Sequence, residues 1–545
     1  MIRRTSSTMD RMHVSSRQLA LLVPLARLRF ALRTRMRVAH FAPALFACVL
    51  LALASCGDAP KAKPNVLLIT VDTLRADHLG CYGYARDTTP NLDAFAKESA
   101  LFERAYSMAP FTAPSHASLF TGMYQISHGV QFWGQKLAAS APSYPERFAK
   151  AGYRTAAFYN HPGMKSCDLE RGFEHRELRV AEPGDPSIDG LLAWIDGRSA
   201  QGGDVGGPGA SGASNANGAN GAASGAANAK PFAAWLHLWD VHRPYGWRDW
   251  REIPDVLKPL FQRRELTFAF EEQRYGGQHD VEVGRGEQFY NVHDARQRQP
   301  ISVAGSKRVL DERDWQFVQD RYDGGVRYAD ALLGKLFKEL KDRGLYENTV
   351  IVVTSDHGET LRERSGCWFT HDPYLYEETL RVPLIIRVPG GAGSSHRELV
   401  RGIDVLPTLL EYADLPAAGV QGHSLMPALR GEKLPPQVLW ARTQTLSAKE
   451  SERKIEAGKG WLEERECISD GAWKLIVDRE TNTAALYDLV NDPGETKNAL
   501  HQPDAQPHAQ RLQKALDEFG KLQKALESGV ELDEAMRELL DNLGY

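Results

Sequence analysis

The chain has 545 residues, of which 42% are hydrophobic and 9% aromatic, so it can bury a large core and form one big domain with a smaller one. Its formal net charge of −4 and pI near 6.5 come from interspersed acids and bases, which excludes a broad basic surface for nucleic acid. Six cysteines without a CxxC pair or zinc-ligand spacing predict neither a disulfide framework nor a zinc finger.

The N-terminus has the pattern of an export leader, which we place at residues 1–56. An arginine-rich, acid-poor stretch runs into the apolar segment Phe41 to Ala54, which is too short to span a bilayer comfortably. Leu53-Ala54-Ser55-Cys56 resembles a bacterial lipobox, and Met36 is an alternative start. An ordinary cleaved signal or a signal anchor is the other interpretation. We expect an exported protein on the periplasmic or cell-surface side, anchored to a membrane through a lipid on Cys56.

Strand and helix patterns alternate after a Pro/Lys linker at residues 57–64. Apolar runs predict strands at Val66 to Val71, Thr155 to Phe158, Phe232 to Leu238, Thr349 to Thr354 and Val382 to Val388. Helical patterns lie between them at Asn91 to Lys97, Tyr144 to Lys150 and Trp315 to Lys341. This alternation predicts an α/β catalytic domain over residues 65–390, with a mainly parallel central sheet flanked by helices and a site at the strand carboxyl ends.

Three further segments differ from this pattern. Residues 197–230 are almost entirely Gly, Ala, Ser and Asn and are predicted to be a disordered insertion. Residues 391–500 are expected to form a smaller C-terminal α+β subdomain, because Trp473 to Val477 and Ala485 to Leu489 resemble paired antiparallel strands. Residues 501–545 are predicted to form a helical tail with one apolar face.

Two predicted strands end in metal-binding side chains. Asp72 follows the first strand, and Asp356-His357 follows the run Val350 to Val353. A single carboxylate there could serve as a helix cap, and Asp356-His357-Gly358 alone could be a turn. Two strand ends that both present carboxylates, one beside a histidine, instead indicate a hard-to-borderline metal site.

Thr112 is the candidate nucleophile. Within the segment Pro110 to Gly122 it is followed by small residues and then a helical stretch, so it lies at a predicted helix N-terminus, where backbone N–H groups favour an anion. A helix-capping role is the alternative for an isolated threonine. A nearby metal would lower the pKa of the hydroxyl and activate it for attack.

The motifs of this chain closely resemble, in order, those of the sulfatase family in the alkaline phosphatase superfamily. The matching blocks run from residue 65 to about 500 and are Val71 to Gly80, Thr88 to Asp93, Phe111 to Gly122, His237 to Tyr245, Ser355 to Glu359, Leu375 to Glu378, Arg381 to Leu384, Asp404 to Thr408 and Leu486 to Leu489. The resemblance implies a metal-dependent hydrolase of that fold.

The chain departs from the family pattern at its nucleophile. Sulfatases carry Cys or Ser followed by x-Pro-Ser-Arg, and the first residue matures to formylglycine, whereas this chain reads Thr112-Ala113-Pro114-Ser115-His116. Formylglycine therefore cannot form here. Sulfate-binding lysines of many relatives are replaced by Asn160 and His371, and Thr73 stands where many sulfatases supply another metal ligand.

Superfamily members with a metal-bound threonine are phosphodiesterases and phosphoryl-group transferases, and their residues carry over to this chain by motif. The resemblance implies that Asp72, Thr112, Asp356 and His357 hold one divalent metal, which is Zn, Mn or Ca. His116, His242 and His371 are expected to act in catalysis, and Asn160, His242 and His371 to bind substrate. A second metal at Asp240, His242 and His371, as in alkaline phosphatases, is the less favoured alternative.

Three functions follow from these residues. The leading one is hydrolysis or transfer of a phosphate mono- or diester through Thr112, on a small or envelope-linked substrate. The second is a sulfuric ester hydrolase that works without formylglycine. The third is an inactive sulfatase-like binding protein of the cell envelope. The long segment from Trp247 to Pro300 mixes aromatic and charged residues, which is typical of a substrate rim.

Overall fold

The computed structural model describes residues 63–179, 184–198, 230–242, 301–303, 306–308, 312–364, 371, 373–445, 463–479 and 481–527. The predicted leader, the lipid-attachment residue Cys56, nearly all of the predicted insertion, the rim at Trp247 to Pro300 and residues 528–545 of the tail lie outside the described residues. No helix of the described part is both long and apolar enough to cross a membrane.

A large sheet of eight strands forms the centre of the fold. Its strands are β1 (Asn65–Val71), β2 (Ala100–Tyr106), β3 (Arg154–Tyr159), β4 (His175–Leu178), β5 (Phe232–Leu238), β8 (Thr349–Thr354), β9 (Arg381–Arg387) and β10 (Ser394–Arg401). The short strands β6 (Ile301–Val303) and β7 (Ser306–Arg308) form a separate hairpin. The order across the large sheet is β10-β2-β9-β8-β1-β5-β3-β4. Only β9 runs antiparallel to its neighbours, which confirms the predicted mainly parallel sheet.

Helices cover both faces of this sheet. The described helices of this part are α1 (Pro90–Ala96), α2 (Thr112–Thr121), α3 (Gln125–His128), α4 (Tyr144–Lys150), α5 (Gly163–Ser166), α6 (Gly184–Ile195), α7 (Glu312–Asp342), α8 (Glu377–Leu380), α9 (Val405–Tyr412) and α10 (Met426–Leu429). Leu67 and Ile69 of β1 face α1, α6 and α7, whereas Val66 and Leu68 face α2, α4 and α9. Both faces of β1 are thus buried, which explains its continuous apolar sequence.

A second, antiparallel sheet follows, with the order β11-β12-β13-β14. Its strands are β11 (Leu439–Thr445), β12 (Glu463–Ser469), β13 (Trp473–Asp478) and β14 (Thr483–Asp488), and the helix α11 (Gln506–Glu527) packs on it. Leu512, Leu516 and Phe519 of α11 are buried against this sheet. The predicted β13–β14 pair and the apolar face of the terminal helix are therefore confirmed over the described residues.

The predicted domain boundary at residue 390 is wrong at one element. Strand β10 lies beyond that boundary, yet it pairs in parallel with β2 at the edge of the large sheet. Helix α9 likewise packs in the large core through Leu406 and Leu409. The sequence of β10, Ser-Ser-His-Arg-Glu-Leu-Val-Arg, hides this role because an edge strand can expose polar side chains along much of its length.

A buried ion cluster ties the small sheet to the large one. Lys474 of β13 is fully buried, and its Nζ lies 2.7 Å from Glu377 Oε1 and 3.0 Å from Glu495 Oε1. Tyr106, at the end of β2, donates a hydrogen bond to Glu377 Oε2 over 3.1 Å. Removal of the lysine would leave the buried Glu495 with only the more distant Arg364, 3.5 Å away, and the part-buried Glu377 without Lys474 as its counter-charge.

We expect Lys474→Met to lower the free energy of unfolding by about 3–5 kcal/mol, because Glu495 stays buried and loses its nearer cation while Glu377 loses its counter-charge. Urea unfolding followed by tryptophan fluorescence measures the change. Lys497→Met, at an exposed position on the neighbouring loop, is the matched control and should change stability by less than about 0.5 kcal/mol. Equal effects of the two substitutions would contradict the structural role of the cluster.

Candidate active site

Adjacent strands β1 and β8 bring the predicted acidic residues together at their carboxyl ends. Thr70 of β1 pairs with Thr354 of β8, so Asp72 and Asp356 each follow two residues later at the same edge of the sheet. His357 comes next, and all three side chains are completely buried. Their ligand atoms lie within 4.8 Å of one another, which confirms the predicted proximity of the two strand ends.

The turn after β1 is held in an unusual backbone conformation. Thr73 has a φ of 56°, a left-handed value that β-branched residues rarely adopt. Its N–H donates to Asp356 Oδ1 over 3.3 Å, and its carbonyl accepts from the Tyr322 hydroxyl over 2.6 Å. The Thr73 hydroxyl donates to Asp72 O instead of facing the carboxylates. Long helix α7, which carries Tyr322, thus fixes the direction in which Asp72 projects.

Thr112 is the first residue of α2, as predicted. Phe111 before it is extended, and Gly122 ends the helix with a φ of 64°, a left-handed conformation that favours glycine. The threonine is 3% exposed, and its Oγ1 lies 3.2 Å from His357 Nε2. The sequence therefore places a hydroxyl, two carboxylates and an imidazole around one point.

The hydrogen bonds of His357 fix which ring nitrogen faces this point. Its Nδ1 lies 2.9 Å from Gly358 O, and because a carbonyl can only accept, Nδ1 carries the proton. In a neutral ring, Nε2 then presents a lone pair toward Thr112 Oγ1 and the carboxylates, as in a metal-binding histidine. Gly358 is required there, because a Cβ would collide with Glu378 O.

The residues fit a cation. Both oxygens of Asp72 and Oδ2 of Asp356 are buried without a hydrogen-bond partner among the described residues. His357 Nε2 lies 3.9 Å from Asp72 Oδ1 and 3.5 Å from Asp356 Oδ2, spacings expected of ligands that share one ion. Burial, and then the adjacent charge of Asp356, raise the pKa of Asp72 well above its usual range, an effect that a cation would reverse.

His116 lies beneath Thr112, not beside a substrate. It is one helical turn after Thr112, with its Nδ1 2.8 Å from Thr112 O and its Nε2 3.1 Å from Thr70 Oγ1. Burial, and then His237, lower its pKa to about 3, so the ring is neutral at physiological pH. Both ring nitrogens of His116 have partners inside the fold, so its contact with substrate oxygens, or proton transfer by it to a leaving group, stays a prediction that would require one of these hydrogen bonds to break.

A second buried histidine, His237, was not predicted as a site residue although it lies in one of the quoted motifs. In β5 it pairs with Thr70, so it shares a sheet face with Thr70 and Asp72. Its Nε2 lies 3.3 Å from Asp72 Oδ2, and its ligand atom groups with those of His116 and Asp356. The available signal was a polar residue inside an otherwise apolar buried strand.

His371 and His242 belong to a closed ring of aromatic contacts next to Thr112, which we call the aromatic collar. Its six members, in order around the ring, are Phe111, Trp133, His161, Trp239, His242 and His371. Neighbouring ring centres are between 4.4 and 6.0 Å apart. The His371 ring also lies 4.2 Å from that of His357, which places this predicted residue beside the candidate nucleophile.

Two other predicted positions have different contacts from those expected. Asn160 directly follows β3, and its amide donates to Arg179 O over 3.1 Å. The next residue, His161, belongs to the collar. Asp240, the alternative second-metal residue, accepts a hydrogen bond from Gly184 N through Oδ1 over 3.1 Å. A one-residue shift in a loose motif match accounts for the assignment to Asn160 rather than His161.

Comparisons with known proteins identify the family of this chain. The family profile described as sulfatase matches residues 64–415, more than half of the chain, and a profile described as N-sulphoglucosamine sulphohydrolase, C-terminal, matches residues 366–522. An N-acetylglucosamine-6-O-sulfatase of Bacteroides thetaiotaomicron is 24% identical over 87% of this chain and 90% of its own length. A choline-sulfatase of Rhizobium meliloti is 27% identical over 81% and 83%.

Solved structures share the fold. A phosphonate monoester hydrolase of Agrobacterium radiobacter has a TM-score of 0.61 at 20% identity, covering 84% of this chain and 96% of its own. A second phosphonate monoester hydrolase, from Silicibacter pomeroyi, has a TM-score of 0.59 at 24% identity, covering 85% and 95%. From the profile match, the chain belongs to the sulfatase family and is a hydrolase that acts on ester bonds.

Proposed function

We propose that this protein is a metal-dependent hydrolase of phosphate or sulfate esters in which Thr112 is the nucleophile, with phosphoesters favoured. The observation that carries the proposal is the 3.2 Å approach of Thr112 Oγ1 to His357 Nε2, beside buried carboxylate oxygens that have no hydrogen-bond donor in the part of the chain that the structure describes. Asp72, Asp356 and His357 would hold one divalent cation, and a set containing histidine favours zinc or manganese over calcium. When bound, that cation lowers the pKa of the threonine hydroxyl and offsets negative charge on the ester.

The chemistry proceeds in two displacements. Thr112 Oγ1 loses its proton to solvent and forms a bond to the phosphorus or sulfur atom, while the bond from that atom to the alcohol oxygen breaks. The alcohol departs with a proton, for which His371 is the proposed donor because its ring lies 4.2 Å from that of His357. Its Nδ1 donates to Pro110 O over 2.8 Å, so this proton would come from Nε2 of the protonated ring. Water then cleaves the threonine ester, which releases the acid and restores the hydroxyl.

The aromatic collar supports a particular kind of ester. It supplies flat apolar surface for the alcohol part, and its cationic candidates are three imidazoles, with no lysine or arginine among its members. The six described members of the collar would therefore offer a doubly charged phosphate monoester no fixed positive charge beyond that of the metal. Phosphodiesters, phosphonate monoesters and sulfate monoesters carry a single charge and fit better. The relatives named as sulfatases and phosphonate monoester hydrolases act on esters of this charge.

The experiment is a comparison of 4-nitrophenyl esters with metal-loaded protein: an alkyl phosphodiester, a phosphonate monoester, a sulfate and a phosphate monoester. We expect kcat/KM to be highest for the phosphodiester or phosphonate, and lowest for the phosphate monoester because of its second charge. A clear preference for the sulfate would instead establish a sulfuric ester hydrolase that works without formylglycine. Absence of turnover with metal bound would overturn the proposal in favour of a binding protein.

Export and anchoring through a lipid on Cys56 are also part of this proposal, supported by the lipobox-like Leu53 to Cys56. Metabolic labelling with palmitate in a bacterial host should label the wild-type chain and not a Cys56→Ser variant. An unlabelled, fully soluble wild-type protein would remove the basis for an envelope-linked substrate.

A further inference from the structure

Thr70 lies at the centre of a hydrogen-bond network that determines the protonation of two buried histidines. Its Oγ1 is 2.9 Å from Trp235 Nε1, 3.1 Å from His116 Nε2 and 2.9 Å from His237 Nδ1. A hydroxyl has one proton to donate and two lone pairs to accept with. Because an indole N–H can only donate, Trp235 occupies one lone pair.

His116 accepts the hydrogen bond that the Thr70 hydroxyl donates. Its Nδ1 donates to Thr112 O, a carbonyl that cannot donate in return. The ring is completely buried, which favours its neutral form, so its Nε2 carries no proton and accepts from the Thr70 hydroxyl. One lone pair of Thr70 Oγ1 then remains, and His237 Nδ1–H must donate to it. His237 Nε2 is therefore left with a lone pair.

The lone pair on His237 Nε2 faces other hydrogen-bond acceptors. His237 Nε2 lies 3.3 Å from Asp72 Oδ2, and neither atom has a hydrogen-bond partner among the described residues. Asp356, whose Oδ2 also lacks a partner there, belongs both to the group formed with His116 and His237 and to the group formed with Asp72 and His357. Facing acceptors in a buried site repel each other unless a cation lies between them.

We propose that His237 is a further ligand, through Nε2, of the cation held by Asp72, Asp356 and His357. Ligands bonded to one ion at about 2.0–2.2 Å lie roughly 3–4 Å apart, as the Nε2 and Oδ2 atoms of His237 and Asp72 do. His237 stands on β5 and the other ligands follow β1 and β8, so three adjacent strands hold the cation. This inference rests on the metal site of the proposed function but not on the substrate or on Thr112.

The test measures metal binding directly, without turnover. Metal-free wild type and His237→Asn are titrated with Co²⁺ and Zn²⁺ by calorimetry, and the visible absorption of the Co²⁺ forms is recorded. Asparagine retains a donor near the position of Nδ1 for Thr70 and removes only the atom corresponding to Nε2. We expect metal affinity to fall roughly 10- to 100-fold and the Co²⁺ spectrum to change.

His128→Asn is the matched control, because His128 is an equally buried histidine whose nitrogens bond to Ser118 and to Val130 N. It should leave metal affinity and the Co²⁺ spectrum unchanged. A proton on His237 Nε2, donated to Asp72, is the competing explanation. It predicts that His237→Asn lowers the stability of the metal-free protein while the stabilisation gained from added metal stays the same, and that result would overturn the proposal.

Should His237→Asn fail to fold, His237→Gln provides a second variant, since its side-chain amide reaches the position of Nε2. Its oxygen would be a weaker ligand, so intermediate metal affinity is expected. Unchanged metal affinity in both variants would refute the ligand role of His237, whatever their turnover. A wild-type protein that binds metal but hydrolyses none of the esters would count against the proposed function and leave this proposal standing.

Discussion

Thr112→Ala should abolish ester hydrolysis, with kcat/KM lower by roughly 10³-fold or more, because the variant lacks the oxygen that we propose attacks the ester. The hydroxyl is the only part of the side chain directed at His357 Nε2, 3.2 Å away. Steady-state rates on the best nitrophenyl ester measure the loss. Metal content must be measured in parallel, because the same oxygen is a proposed metal ligand.

Two controls separate the nucleophile from its surroundings. Thr112→Ser retains a primary hydroxyl and should keep measurable activity. Thr121→Ala removes a hydroxyl from the last residue of the same helix, where it donates to Ala117 O, and should leave kcat/KM nearly unchanged. Full activity in a metal-loaded Thr112→Ala variant would exclude the threonine as nucleophile.

Asp72→Asn should have the second largest effect, because it removes the negative charge that binds the cation while retaining the shape of the side chain. Both oxygens of Asp72 are buried without hydrogen-bond partners among the described residues. The charge of this carboxylate is therefore the interaction that we expect to hold the metal at the end of β1. We expect metal affinity to fall at least roughly 100-fold and turnover to fall with it. Calorimetric titration and assays over a range of added metal measure both.

Chelation of the wild-type protein should reproduce this loss, and re-addition of Zn²⁺ or Mn²⁺ should reverse it. Asp77→Asn is a nearby control, because that carboxylate pairs with Arg75 at 2.7 Å rather than facing the site. An Asp72→Asn variant that binds metal as tightly as the wild type would contradict the assignment of Asp72 as a ligand.

Apolar periodicity predicted the large sheet well because most of its strands are buried on both faces. Val66 to Val71 and Thr349 to Thr354 are runs of this kind, and the structure places β1 and β8 there. Strand β10 has five partly or fully exposed residues at its start, and its sequence shows no such run. A strand that is buried on one side only has a weaker apolar pattern in its sequence. For this reason the domain boundary was predicted at residue 390, before β10.

The candidate site was predictable to the extent that each residue ends a strand or begins a helix. Asp72, Thr112, Asp356 and His357 satisfy this condition, and the structure brings them together. His237 lies within a strand, so only the register of β5 against β1 shows that it faces Asp72. His116 was assigned to the substrate because its position in the motif does not show that the ring turns inward to Thr70.

The most direct test of the central claim is a single-turnover reaction of metal-loaded protein, quenched in acid, with mass spectrometry of the peptide that contains Thr112. The account predicts a phosphoryl, phosphonyl or sulfuryl group on Thr112 at early times that disappears as product forms, and none in the Thr112→Ala variant. Ester turnover without any modified threonine at any time point would contradict a threonine nucleophile.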